Sequence, residues 1–329
     1  MPTLQCELRS FTRPSRSTPQ NVSITEKMLL DCAAKVGMPT IASHPARRRP
    51  LAEMQWRTGL VAANLRPTVS GRHWTRTDAY INLDPSEKSA VSYFLGMTQA
   101  ALTTRHVLGY PYLVHVDLLL QHQGTPLSGR RPDFVAANPS SVPGAAYSAV
   151  VEAKGRSNGF DEGPLDRAKR QVATTPAIRG LAPVERVASV AYFDDSDHWA
   201  SVLKDPDGDG EDLKFGLETF LLLYYRAIIE AGRESETWGR AGGQYRFELP
   251  GFPLVFELPE LLVDAYDASA EISSTQERDA EAPILSTYYE IAATSKDPGD
   301  LVSSRFGDGA NAATLVELFE LHNEQVEEQ

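Results

Sequence analysis

The spacing of hydrophobic positions divides the chain into segments of clear and unclear period. Over residues 23–37, Met28, Leu29, Cys32 and Ala33 fall on one side of a helix, Ser23 and Glu26 are spaced as a capping box, and Gly37 suits the stop. A second short helix is predicted at 52–65. From Asp84 the pattern sharpens. Asp84, Pro85 and Glu87 supply an N-cap, a first-turn proline and a first-turn acid, and Val91, Phe94, Met97 and Ala101 recur at helical spacing toward 105–109. In 112–120, Val114, Val116, Leu118 and Leu120 alternate with His115 and Asp117, the period of a strand. Two more strands are predicted at 131–137 and 147–153, joined by a turn-rich loop, then a helix at 164–174 and a strand at 184–193. Helix, strand, strand, strand, helix, strand is an α/β order, with a mixed central sheet flanked by helices.

The flanks are less regular. Residues 1–22, rich in Ser, Thr, Pro and Arg, read as a mobile arm. Residues 211–232 form a long apolar helix, 245–264 hold strand-like runs, and 267–283 form an acidic loop. An amphipathic helix is predicted at 311–328. The organisation expected is an N-terminal basic arm and helical region (1–83), a core (84–233) and an acidic C-terminal region (234–329).

At 329 residues and 42% hydrophobic, the chain can bury a sizeable core. Its net charge of −12 is unevenly spread: +7 over residues 1–80, −1 over 81–200 and −18 over 201–329. A polyanion is attracted by the first quarter and repelled by the last third. Two cysteines, Cys6 and Cys32, supply neither a disulfide framework nor a zinc quartet. No apolar run suits a signal segment or a bilayer span, so a cytoplasmic protein with no membrane partner is expected.

Candidate chemistry concentrates in the stretch from Arg130 to Lys154. Alternation along the second strand puts Glu152 and Lys154 on the same side, and Asp133 reaches that side if the strands pair as a hairpin. Two carboxylates and an ammonium converging beside a sheet are costly unless a metal or substrate uses them. Oxygen-rich carboxylate sites suit Mg²⁺ or Mn²⁺, with Asp133 and Glu152 as ligands and the Ala153 carbonyl as an extra oxygen. Lys154 then orients or deprotonates an attacking water, or stabilises the transition state. Competing motifs fall short. Asp205-Pro-Asp207-Gly-Asp209-Gly210 opens like an EF-hand but has Gly216 where a bidentate Glu is required, and Asp194, Asp195, Asp197 and His198 read as loop acids at a strand end. The basic run His44 to Pro50 is a solvated loop or a phosphate-contacting segment. No nucleotide-binding glycine loop occurs.

Arg131-Pro132-Asp133 and Val151-Glu152-Ala153-Lys154-Gly155, within that order of elements, resemble the PD-(D/E)xK nuclease superfamily over about residues 84–193. The resemblance implies a restriction-endonuclease-like fold and a Mg²⁺- or Mn²⁺-dependent hydrolase of nucleic acid, DNA before RNA, with restriction or phage defence as a setting. It implies catalytic roles for Asp133, Glu152, Lys154 and Gln171, a Gln on the following helix being common in the superfamily. It also implies metal contacts from Asp133, Glu152 and Ala153, and from Glu87, since some members place such an acid on the first helix. Arg131, Arg156, Arg167 and Arg170 are the candidate nucleic-acid contacts, and a homodimer is a further expectation. The alternative is a catalytically inactive nuclease fold acting as a nucleic-acid- or protein-binding scaffold; a third reading is an enzyme whose acidic C-terminal third covers the basic groove until a regulatory ligand or partner removes it.

Overall fold

The computed structural model describes residues 1–11, 19–36, 49–124, 131–139, 147–172, 177–178, 183–205, 214–274, 283–294 and 301–307. The chain opens with β1 (Thr3–Arg9), β2 (Gln20–Ser23), α1 (Glu26–Lys35), α2 (Pro50–Asn64), β3 (Leu65–Pro67), β4 (Trp74–Arg76) and α3 (Asp78–Asn82). The middle comprises α4 (Pro85–His106), β5 (Tyr112–His115), α5 (Val116–His122), β6 (Phe134–Asn138), β7 (Tyr147–Gly155), α6 (Glu162–Val172), β8 (Ala177–Ile178), β9 (Pro183–Phe193) and β10 (Trp199–Lys204). It closes with β11 (Lys214–Phe215), α7 (Leu217–Glu234), β12 (Gly239–Ala241), β13 (Gln244–Glu248), β14 (Leu254–Pro259), α8 (Glu260–Ser274), α9 (Pro283–Thr294) and β15 (Ser303–Phe306).

The protein is an α/β structure built on a seven-stranded mixed sheet in the order β2-β1-β10-β9-β7-β6-β5, with small sheets beside it. Strands β5, β6 and β7 run as an antiparallel meander, and α6 carries the chain over to β9, which pairs parallel to β7. Side chains alternate across the sheet. On one face Phe134, Ala136, Ala149, Val151 and Ala153 pack with Leu95 and Met97 of α4. On the other, Val135 and Ala137 pack with α7, while Ala188 and Val190 pack with Leu165 and Ala168 of α6. Among the described residues no helix is long and apolar enough to cross a membrane.

Helix α4 begins as its sequence dictates. Asp84 accepts from the amides of Ser86 and Glu87, and Glu87 accepts from the amide of Asp84. Four expectations are corrected. The N-terminal arm is a strand within the described residues: β1 alternates Leu4, Cys6 and Leu8 into the core and pairs parallel to β10, about as non-local a pairing as the chain offers. The cap of α1 is Thr25, whose hydroxyl accepts from the Met28 amide, while Ser23 ends β2. The strand expected over 112–120 stops at His115 and turns into α5, because Val116, Leu119 and Leu120 also satisfy helical spacing and the Val116 amide donates to the Asp133 carbonyl. The acidic loop expected from 267 is helical through Ser274. The basic run 44–48, most of the EF-hand-like turn and the helix expected at 311–328 lie outside the described residues.

Candidate active site

The site forms where β6 begins and β7 ends. Because Ala149, Val151 and Ala153 face α4, the alternate residues Glu152 and Lys154 face the opposite side, and Asp133, two positions before Val135, shares it. The two halves lock together through backbone and side chain. The Asp133 amide donates to Glu152 Oε2 at 3.1 Å, and the Ala153 amide donates to Asp133 Oδ2 at 2.8 Å. The amide and carbonyl of a strand residue leave from one edge. The Ala153 carbonyl is therefore directed to the same edge as the amide bound by Asp133.

Glu152 is fully buried (0% exposed), and Lys154, 29% exposed, donates to its Oε1. Burial pushes the Glu152 carboxyl up to about 8, with the neighbouring Asp133 adding to the rise and Lys154 opposing it. Asp133 is also raised, first by desolvation, against the pull of the Ala153 amide and Lys154. The two carboxyls act on each other across this junction, and the closeness of Asp133 adds to the rise of Glu152, since two full charges side by side in a buried setting repel.

Of the other residues singled out by sequence, the structure brings Gln171 and Arg131 to this centre's supports. Gln171 Nε2 on α6 donates to the Arg131 carbonyl at 3.3 Å, which ties the helix to the entry of β6. Arg131 makes a two-pronged ion pair with Asp117, with its second contact at 2.9 Å, and this holds its guanidinium above the usual arginine range. Arg156 folds back on the loop after β7, donating to the Gly159 carbonyl at 2.8 Å and to Asp161 at 3.2 Å. Arg167 and Arg170 stand on the exposed side of α6. Glu87 is not brought to the pair: it is exposed, and its carboxylate closes the cap of α4. The loop acids at 194–198 serve the β9–β10 turn. Asp194 accepts from the amides of Ser196 and His198, and Asp197 pairs with Arg76.

Sequence reasoning gave no role to two features of the centre. One is Gly155, whose Cα lies against the Ser92 carbonyl and Gly96 of α4, leaving no room for a side chain. The other is Tyr93 on α4, whose hydroxyl is pushed up to about 12 by desolvation and by the charges of Asp133 and Glu152. An aromatic residue off the buried stripe of α4 was its visible signal. His115 packs its ring on Phe134 at 4.7 Å and is lowered to about 4 by desolvation and the Arg57 charge.

Among the described residues no group of three or more His, Cys, Asp or Glu gathers as a metal site. The donors present nevertheless fit a hard divalent cation. They are two carboxyls held at one junction by the Asp133 and Ala153 amides and one carbonyl aimed at the same edge, and Mg²⁺ is commonly held by one or two carboxylates with waters completing its shell. No protein-family model, curated protein or solved structure matches the chain.

Proposed function

We propose that the protein is a metal-dependent phosphodiesterase of the PD-(D/E)xK type, hydrolysing nucleic acid at Asp133, Glu152 and Lys154. The observation that carries this reading is the fully buried Glu152, bonded to Asp133 and paired with Lys154 at the meeting of β6 and β7. A buried acid pair held in this state destabilises the fold, and such strain is retained where function uses it. The order α4, antiparallel β5-β6-β7, α6, and β9 parallel to β7 supports a restriction-endonuclease-like core.

Asp133, Glu152 and the Ala153 carbonyl would hold Mg²⁺ or Mn²⁺, which when bound supplies Lewis acidity toward the phosphate and a water of lowered pKa. The chain's own groups do the rest. Glu152 keeps the Lys154 ammonium at the mouth of the site, where its charge faces a phosphate oxygen or the attacking water. Asp133 is set by the Ala153 amide, and its strand is anchored from outside by Gln171. DNA is the substrate proposed first. Purified protein with Mg²⁺ or Mn²⁺ is expected to cut plasmid, linear or single-stranded nucleic acid, and Asp133→Ala to stop it with circular dichroism unchanged. Cutting that survives Asp133→Ala, or that proceeds equally in chelator, contradicts the assignment.

A further inference from the structure

An aromatic cluster on α4 and α2 takes no part in the chemistry described so far. Phe94 of α4 meets Tyr93 edge to face at 5.1 Å and Trp56 of α2 edge to face at 4.7 Å. Trp56 is 52% exposed and Tyr93 44%, while the buried stripes of their helices run through Met54 and Val61, and through Val91 and Leu95. Large rings displayed off the core stripe contribute little to folding. Beneath them Arg57, 7% exposed and held by Glu53 at 2.6 Å, lies 5.4 Å from the Phe94 ring centre and 5.7 Å from that of Trp56. The cluster therefore has a fixed shape and a cation behind its rings.

One backbone contact sets the helix of this cluster against the end of β7 that carries the site. Ser92, directly before Tyr93, places its carbonyl against Gly155, directly after Lys154. Arg57 also acts on His115, whose ring lies on Phe134, the neighbour of Asp133. The negative charges of Asp133 and Glu152 reach the Tyr93 hydroxyl.

A nucleic-acid strand whose phosphate enters between Asp133 and Lys154 brings its bases within reach of these rings. Every base offers a flat face for stacking on an aromatic side chain, but inside a duplex both faces are covered by neighbouring pairs. A platform of this kind is of use only to a base that has left the stack. Resting on the reading above, we propose that Trp56 and Tyr93 form a stacking platform for an unpaired nucleobase beside the scissile phosphate. The substrate is accordingly a single strand, or a duplex with an unpaired segment at the cut.

The test compares binding in Ca²⁺, by fluorescence anisotropy, of labelled oligodeoxythymidylate, oligouridylate, a blunt DNA duplex and the same duplex with a single-stranded overhang. Wild type is expected to prefer unpaired strands over the blunt duplex, and the two homopolymers separate DNA from RNA as their source. Trp56→Ala and Tyr93→Ala are each expected to reduce the single-strand to blunt-duplex affinity ratio by about tenfold. Trp56→Phe, which keeps a ring, is expected to restore most of that ratio. Equal losses on all four ligands, or no loss, overturn the platform; Asp133-dependent cutting with an unchanged ratio overturns it while leaving the phosphodiesterase reading intact. Absence of any nucleic-acid binding and any cutting by wild type overturns both.

Discussion

Replacing Glu152 with Gln tests the electrostatic account directly, because it keeps shape and hydrogen-bonding oxygen while removing the ionisable group. Burial and Asp133 raise the Glu152 carboxyl from the ordinary 4.5 to about 8. A raised carboxyl contributes its full stability where it is protonated in folded and unfolded chains alike, below pH ~4.5. That stability is lost as pH rises through the window to about 8. At pH 7 the unfolded chain has gained about 2.5 pH units of deprotonation that the folded chain resists, on the order of 3 kcal/mol. Gln pays none of this. For a chain of 329 residues the difference corresponds to roughly 5 °C in Tm. Calorimetric melting in EDTA, from pH ~4 to ~8, is expected to show Glu152→Gln matching wild type at the acid end and exceeding it increasingly toward neutrality. A gap independent of pH, or a variant less stable than wild type at neutral pH, refutes the reasoning.

Other expectations follow from single contacts. Gly155→Ala forces a methyl into the Ser92 carbonyl and Gly96, so it is expected to destabilise the protein by about 1–3 kcal/mol or more, read as a lowered Tm. Glu87→Ala loses one half of a capping box and is expected to cost roughly 0.5–1 kcal/mol, while a Mg²⁺-induced rise in Tm persists; loss of that rise places Glu87 among the metal contacts instead.

The sequence was most legible where local signals agreed. Asp84, Pro85 and Glu87 announced the start of α4, and a hydrophobic run ending in Glu152 and Lys154 announced β7 and half the site. Strand alternation also placed Asp133 on the right face. The stretch from Val114 to Leu120 misled because its apolar residues satisfy both periods, and the tie was broken by a backbone bond to Asp133 that no local pattern encodes. In β1 the alternation of Leu4, Cys6 and Leu8 was present in the sequence, but its partner strand begins at Trp199, and the polar segment after it suggested disorder. Tyr93, Arg57 and Trp56 stand on two helices separated in sequence, and only the tertiary packing of α2 on α4 brings them together around Phe94.

The central claim is that Lys154, held by buried Glu152, serves hydrolysis at this centre. Single-turnover cleavage by Lys154→Ala, with Mg²⁺ binding followed by titration calorimetry, tests it most directly. The account expects Mg²⁺ still to bind and cleavage to fall by at least 100-fold, on the order of the loss of one electrostatic stabiliser. Cleavage at the wild-type rate with Mg²⁺ bound contradicts it.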